Sequence, residues 1–204
     1  MSEPSALLGV TYGAIARHAD SRGAFRELWR ASLENPTDRY VQANLSSSVA
    51  GVLRGLHLHR RQRDRWIVAS GRALVALVDV RPMLVADATS APDATFVPGE
   101  TSAPDADSAA GPIIETRELG ADDWVEIPRG VAHGFLALEP LELVYFVSNE
   151  FDGTDELGFA WDDPTAAVPW PAVTATADDR PILSERDRSN PSLTDLVARL
   201  RAES

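Results

Sequence analysis

Short apolar runs, repeatedly broken by glycine, proline or serine, occupy the middle of the chain. The runs are DRYVQANLS, GVLRGLHLH, DRWIVASG, RALVALVDVR, DWVEIP, GFLAL and LELVYFVS. Their length and their content of valine, leucine and aromatic residues predict β-strands. Many short strands at this spacing are typical of an antiparallel sandwich or barrel, so we predict a mostly β fold.

Two segments near the ends of the chain carry an apolar stripe at helical spacing. The first is AFRELWRASLEN, with Phe25, Leu28, Trp29 and Leu33. The second is NPSLTDLVARLRAES, with Leu193, Leu196, Val197 and Leu200. We therefore predict short terminal helices beside the β fold.

The segment from about 82 to 112 is rich in alanine, aspartate, proline, serine and threonine and has almost no large apolar residues. Such a composition cannot build a core, so it predicts an exposed or disordered insertion and not a second domain. The chain of 204 residues is therefore predicted to form a single domain over 1–204.

Charge and cysteine content exclude several kinds of site. A net charge of -12 argues against nucleic-acid and anionic-membrane partners, since both require a basic surface. An anionic ligand must then be held by local arginines. The chain has no cysteine, which excludes disulfides and thiolate chemistry. No secretory leader or membrane-spanning run is recognisable, so we expect a soluble cytoplasmic protein.

The stretch RGLHLH contains two histidines, His57 and His59, one residue apart. In a strand, alternation directs both imidazoles to the same face. Asp64 follows in the next run, and PRGVAHGF supplies His133. Imidazoles and a carboxylate at this spacing could ligate Fe, Mn, Ni or Zn. The spacing of the flanking glycines resembles the two signature motifs of the cupin superfamily, which implies a jelly-roll barrel and a metal bound by His57, His59, Asp64 and His133.

A closer resemblance covers most of the chain. DSRGAFRELW, YVQANLSSSVAGVLRGLH, VDVR, IPRGVAHGFLAL, LVYFVS, ELGFAWDDP, VPWP and LSERD, in this order, resemble the dTDP-4-dehydrorhamnose 3,5-epimerase family. The resemblance implies that His57 removes a proton beside the C4 ketone of a dTDP-4-keto-6-deoxy sugar. It implies that Tyr145 reprotonates the opposite face. Imidazole and phenol suit these two tasks.

The resemblance also implies a set of residues that bind the nucleotide sugar. They are Arg22, Glu27, Gln42, Asn44, Arg54, His133, Glu156 and Arg186. Arginines suit a diphosphate because a guanidinium forms paired, charge-assisted hydrogen bonds with it. The family's usual dimer, which exchanges strands, implies a homodimer in which Arg22 and Glu27 reach the neighbouring site.

Three positions depart from the family pattern. His59 replaces a glutamine, Asp64 replaces a lysine, and Val75 stands where an aspartate is expected to orient the catalytic imidazole. All three changes favour a metal, which would orient His57 in place of the aspartate. The alternatives are that His59 substitutes for the glutamine as a hydrogen-bonding group and that Asp64 is a solvated turn residue.

Three functions follow from these patterns. The first is an epimerase that inverts C3, C5 or both of a nucleotide-linked 4-keto-6-deoxy sugar. The second is a metal-dependent cupin isomerase or oxygenase of secondary metabolism. The third is a sugar-nucleotide-binding relative that has lost catalysis along with the aspartate. The first two conflict at one residue, because a metal-ligated His57 cannot also be the free base.

Overall fold

Antiparallel strands make up most of the computed structural model, which describes residues 3–34, 38–85 and 111–203. In chain order the strands are β1 (Glu3–Pro4), β2 (Thr11–Ala14), β3 (Arg17–Asp20), β4 (Gly23–Arg26), β5 (Gln42–Ser48), β6 (Leu53–Leu58), β7 (Asp64–Ser70), β8 (Arg72–Asp79), β9 (Ile113–Gly120), β10 (Asp123–Ile127), β11 (Val131–Ala137), β12 (Leu141–Val147) and β13 (Leu157–Gly158). The helices are α1 (Arg81–Leu84), α2 (Glu185–Arg188) and α3 (Leu193–Ala202), with a 3-10 turn at Ala31–Leu33.

Two sheets form the body of the fold. One has the strand order β1-β2-β10-β7-β12-β5, and the other has the order β13-β6-β11-β8-β9. The main core lies between them and takes apolar side chains from both, including Val75, Leu77, Val125, Phe135 and Leu143. The mostly β sandwich or barrel predicted from the strand pattern is therefore confirmed, as is the cupin-type jelly roll that the resemblance implies.

The five-stranded sheet is covered on both faces. All seven residues of β11 are buried, because α3 and the 157–170 segment pack against the face that points away from the main core. A strand buried on both faces needs no polar alternation, which explains the continuous apolar run GFLAL. The six-stranded sheet has one face toward the core, and β5 alternates between half-buried and exposed residues.

A bulge in β6 changes which side chains face the space between the sheets. His133 of β11 pairs with His57, but Phe135 pairs with Arg54, so β6 has one residue more than β11 over this step. Gly55 occupies the bulge with φ +129, and a Cβ there would lie 2.6 Å from Cα of Gly134. The extra residue lets Arg54 and His57 face the same side, although strict alternation would separate them.

The seven predicted strand runs are all confirmed, as β5, β6, β7, β8, β10, β11 and β12. The strands that the sequence pattern did not predict are mostly short or lie at sheet edges. An example is β9, whose sequence IIETRELG is largely polar and pairs only with β8 in its sheet. Edge strands bury less side-chain surface, so their hydrophobic pattern is weaker.

The helix predicted in AFRELWRASLEN is wrong. Its first residues belong to β4, which pairs with β3 across the turn Asp20-Ser21-Arg22-Gly23. Phe25 is 67% exposed, while Trp29 stacks on Phe146 with ring centroids 6.1 Å apart. A helix in a protein is stabilised mainly by burying its whole apolar stripe, and here the candidate stripe is divided between solvent and a sheet.

The C-terminal helix is confirmed as α3, which begins after the N-cap Ser192. The four predicted apolar residues are all buried against the outer face of the five-stranded sheet.

Most of the predicted insertion at about 82–112 lies outside the described residues, which omit 86–110. The residues just before that gap form α1, which contacts α3. The assignment of 1–204 to a single domain stays a prediction.

Across the described ranges, every helix is too short or too polar to span a lipid bilayer.

We predict that Leu196→Ala lowers the free energy of unfolding by about 2–5 kcal/mol, because it leaves a cavity beneath α3. Thr194→Ala, on the exposed face of the same helix, is expected to change it by less than about 0.5 kcal/mol. Urea denaturation of both variants checks this. Equal, small effects would show that α3 contributes little to the core.

Candidate active site

A cavity of about 480 Å³ opens between the two sheets. Its walls are the inward-facing residues of β5, β7 and β12 on one side and of β6 and β11 on the other. Ten of the twelve predicted site residues line it: Gln42, Asn44, Arg54, His57, His59, Asp64, His133, Tyr145, Glu156 and Arg186. The structure therefore brings together side chains that are up to 144 positions apart in sequence.

His57 forms a hydrogen-bonded pair with a carboxylate. Its Nε2 lies 2.7 Å from Oδ1 of Asp187, a buried residue of α2. The prediction that no carboxylate orients His57 is thus wrong. Val75, where the aspartate was expected, lies fully buried in the apolar core, and the partner comes instead from the LSERD motif near the C-terminus.

The environment of Asp187 keeps its carboxyl ionised. Burial alone would raise its pKa, but the hydrogen bonds from His57 and Ser184, together with the nearby charges of His57 and Arg186, lower it below the usual range. Ser184 caps α2, accepting the N–H of Asp187 and donating its hydroxyl to Oδ2. A carboxylate can only accept, so the Nε2 of His57 carries the proton and Nδ1 is left to take one up.

Tyr145 stands on the opposite wall. It belongs to β12 in the six-stranded sheet, whereas His57 belongs to β6 in the five-stranded sheet. Burial raises the pKa of the Tyr145 phenol, the charges of Asp64 and Glu156 raise it further, and Arg54 opposes them. The phenol therefore keeps its proton at neutral pH and can donate it.

Three further predicted residues form a compact group in the cavity. His59, Asp64 and His133 are all buried, and one ligand atom from each lies within 4.8 Å of the other two. The alternative in which Asp64 is a solvated turn residue is wrong, since it is 4% exposed. His57, the fourth member of the predicted metal set, is not part of this group, and its Nε2 contacts Asp187 instead.

His133 is a neutral imidazole at physiological pH. Burial lowers its pKa to about 4, the charges of His59 and His57 lower it as well, and Asp64 opposes them. Its Nδ1 lies 3.1 Å from the carbonyl oxygen of Val131, and the Nδ1 of His59 lies 2.6 Å from that of Asp155. A carbonyl only accepts, so both rings carry their proton on Nδ1.

Hydrogen-bonding and cationic groups surround these side chains. Gln42 donates to the Asn44 side chain at 2.9 Å, and Arg186 forms an ion pair with Glu156 at 2.7 Å. Arg54 is exposed and donates to the Ser48 hydroxyl at 3.2 Å. The two guanidiniums place positive charge at the cavity in an otherwise acidic protein.

Arg22 and Glu27 do not line the cavity within this chain. Arg22 is paired with Asp20 and Glu27 with Arg30, all on or beside the exposed hairpin of β3 and β4. Their predicted role therefore requires the site of a second chain.

Asp187 is the functional residue that sequence reasoning missed. The signal was present, since the LSERD motif was recognised, but only Arg186 was selected from it. Gln62, Trp66 and Phe151 also line the cavity without having been predicted.

Comparison with known proteins identifies relatives along nearly the whole described chain. The family model for dTDP-4-dehydrorhamnose 3,5-epimerase matches residues 4–84 and 116–195. The chain is 33% identical to the dTDP-4-dehydrorhamnose 3,5-epimerase of Mycobacterium tuberculosis over 190 residues, covering 89% of this chain and 81% of the relative. It is 32% identical to the spore coat polysaccharide biosynthesis protein SpsL of Bacillus subtilis over 168 residues, covering 79% of this chain and 95% of the relative.

A solved structure shares the fold. It is dTDP-6-deoxy-D-glucose-3,5-epimerase RmlC from Legionella pneumophila in complex with dTDP-4-keto-L-rhamnose. The TM-score is 0.75 at 25% identity, and the match covers 98% of this chain and 96% of that chain. The family model leaves residues 85–115 unmatched, and residues 86–110, which the structure does not describe, lie within that segment.

The hydrogen bonds of the three cavity histidines predict distinct tautomers. Long-range ¹H–¹⁵N spectra are expected to show protonated Nε2 in His57 and protonated Nδ1 in His59 and His133. The His133 signals should stay unchanged from pH 7 until the pH approaches about 4, whereas a free imidazole titrates near 6.5. Single His→Gln variants assign the signals. A His133 transition near pH 6.5 would contradict the buried, neutral ring.

Proposed function

Because the chain belongs to the dTDP-4-dehydrorhamnose 3,5-epimerase family, we propose that it epimerises a dTDP-linked 4-keto-6-deoxy sugar at C3, C5 or both. One observation carries the proposal: the His57–Asp187 pair and the Tyr145 phenol stand on opposite walls of one cavity. Inversion at carbon needs a group that removes a proton on one face and a group that supplies one on the other. The two sheets provide these two faces.

The reaction can be written with the residues of this chain. Nδ1 of His57 takes the proton from a carbon beside the C4 ketone, and the electron pair moves into an enolate with charge on the C4 oxygen. Asp187 stabilises the imidazolium that forms. The Tyr145 hydroxyl then protonates the carbon from the opposite face. Water then takes the proton from the His57 imidazolium and returns one to the Tyr145 phenolate. The reaction involves no oxidation or reduction and consumes no co-substrate.

The cavity also suits a nucleotide sugar. Arg54 and Arg186 provide guanidiniums for a diphosphate, and Gln42 and Asn44 provide amide groups that can hydrogen-bond to sugar hydroxyls. The relative from Legionella pneumophila was solved with dTDP-4-keto-L-rhamnose, which has this chemistry.

The non-catalytic alternative loses its main argument. It depended on the absence of the carboxylate that orients His57, and Asp187 supplies that carboxylate at 2.7 Å.

Cytoplasmic localisation stays a prediction.

We also propose that the protein is a homodimer in which Arg22 and Glu27 reach the partner's cavity. The hairpin of β3 and β4 pairs with neither large sheet, and seven of its eight strand residues are exposed. A hairpin with so little burial is marginally stable in water unless another surface covers it. In and next to β5, the side chains of Val41, Leu45 and Val49 also leave apolar surface exposed.

Heavy water tests the reaction and the roles of its two groups. With a dTDP-4-keto-6-deoxy hexose in D₂O, the wild type is expected to incorporate deuterium at C3, C5 or both with inversion. Asp187→Asn is expected to slow exchange by about 10²–10⁴-fold, because His57 loses its tautomer control. Tyr145→Phe is expected to retain much of the exchange while losing inversion. Mass spectrometry and proton NMR measure both.

Asp162→Asn, a neutralisation at an exposed position, is the matched control and should behave as the wild type. Absence of deuterium at both carbons in the wild type would overturn the proposed epimerisation. Exchange in Asp187→Asn at the wild-type rate would overturn the assigned role of the His57–Asp187 pair.

Complementation between two variants tests the dimer. Light scattering is expected to give about 44 kDa, twice the 22.0 kDa chain. Arg22→Ala and His57→Asn should each be strongly impaired alone. If Arg22 acts across the interface, co-refolding them in equal amounts should restore about one quarter of the sites, since each mixed dimer has one intact site.

If Arg22 acts within its own chain, every site in a mixed dimer remains defective and no activity returns. That result, or a mass of one chain, would overturn the proposed arrangement. Co-refolding His57→Asn with Asp187→Asn is the negative control, because both side chains belong to the same cavity and cannot complement.

A further inference from the structure

The group of His59, Asp64 and His133 is not used by the proposed proton transfers, yet it is buried and faces the same cavity. It is drawn from three separate parts of the fold. Asp64 begins β7 in one sheet, His133 lies in β11 in the other, and His59 directly follows β6. Two imidazoles and one carboxylate that converge in this way are a common ligand set for divalent transition metals.

Both imidazoles are oriented as metal-binding histidines are. Each directs its Nδ1 to a backbone carbonyl, Asp155 for His59 and Val131 for His133, so that Nε2 keeps its lone pair in the neutral ring. Among the described residues, neither Nε2 takes part in a hydrogen bond. Trp66 packs edge-on against the His133 ring at 5.1 Å between centroids and limits its rotation.

The carboxylate is oriented by its own hydrogen bonds. Gln62 donates to Oδ1 of Asp64 at 2.8 Å, and the Trp66 indole donates to Oδ2 at 3.2 Å. Oδ2 lies 3.6 Å from Nε2 of His133, which is longer than a hydrogen bond. The separation is close to the roughly 3.3 Å expected between two ligands of a tetrahedral ion with bonds of about 2.0 Å.

We propose that His59, Asp64 and His133 bind one divalent transition-metal ion, of the class of zinc, iron, manganese or nickel, on the wall of the cavity. Three protein ligands leave coordination positions open toward the cavity, where water or a substrate oxygen can bind. His57 is not included as a ligand, because it lies outside the group of converging ligand atoms and its Nε2 contacts Asp187.

This arrangement removes the conflict between a metal ligand and a base at His57. His57 keeps Nδ1 for proton abstraction, while the ion occupies a site formed by three other residues. If the proposed epimerisation is correct, the ion would act as a Lewis acid and stabilise the negative charge that develops on the C4 oxygen of the enolate. This catalytic role rests on the proposed function, whereas metal binding itself does not.

Metal content tests the site without substrate. The full chain, purified without a metal-affinity tag, is stripped with a chelator and titrated separately with Zn²⁺, Mn²⁺, Fe²⁺, Ni²⁺ and the spectroscopic probe Co²⁺. We expect one equivalent of at least one metal per chain by elemental analysis and a raised melting temperature, since the ion binds only the folded protein. Bound Co²⁺ should show the visible d–d absorption bands of an ion that is coordinated by imidazole and carboxylate.

Variants locate the ion. His59→Gln and Asp64→Asn are expected to weaken metal binding by more than about 100-fold. His57→Asn, the matched control in the same cavity, should bind one equivalent as the wild type does. Circular dichroism checks that each variant is folded. Less than about one tenth of an equivalent of every metal in the wild type would overturn the site, and loss of the metal in His57→Asn would overturn this ligand set.

Deuterium exchange, measured with and without the metal, shows whether the bound ion contributes to catalysis. If the stripped enzyme exchanges deuterium more slowly and the bound metal restores the rate, the catalytic role is supported. An unchanged exchange rate after stripping overturns that role. A protein that binds one equivalent of metal and gives no exchange in either form overturns the epimerase proposal and leaves the metal site supported.

Discussion

The close approach of β6 and β11 is the constraint on which the site depends. Gly55 and Gly134 let the two backbones meet where a Cβ on Gly55 would lie 2.6 Å from Cα of Gly134. The bulge at this point directs Arg54 and His57 into the same cavity and pairs His57 with His133. A side chain at either glycine would force β6 and β11 apart and so separate His57 from His133, which are paired across these two strands.

Backbone and carboxylate acceptors give three neighbouring imidazoles different chemistry. His57 contacts a carboxylate and is thereby prepared to accept a proton at Nδ1, whereas His59 and His133 contact carbonyls and keep a lone pair at Nε2. A cavity of about 480 Å³ can therefore contain a base and a metal-binding group without assigning one residue to both tasks. The opposite sheet adds the Tyr145 phenol, which burial keeps protonated.

Much of the fold and of the site followed from local patterns and motifs. The seven core strands were predicted because their apolar residues are short runs between turn residues, and ten of twelve site residues lie in the cavity. The helix at 24–35 failed because its apolar stripe is divided between solvent and a sheet. Asp187 was missed because it lies 130 positions from His57, and nothing in either segment alone indicates that they meet.

Residue types and spacing in RGLHLH were sufficient to predict a strand with two imidazoles on one face, and the family resemblance implied that this face lines a cleft. They were insufficient to distinguish a base from a metal ligand, because that distinction depends on the acceptor each ring contacts. Those acceptors come from α2 for His57 and from Asp155, 96 positions away, for His59. Tertiary packing places α2 and the loop that contains Asp155 next to β6 and the residue that follows it. Local periodicity carries no information about contacts this remote in sequence.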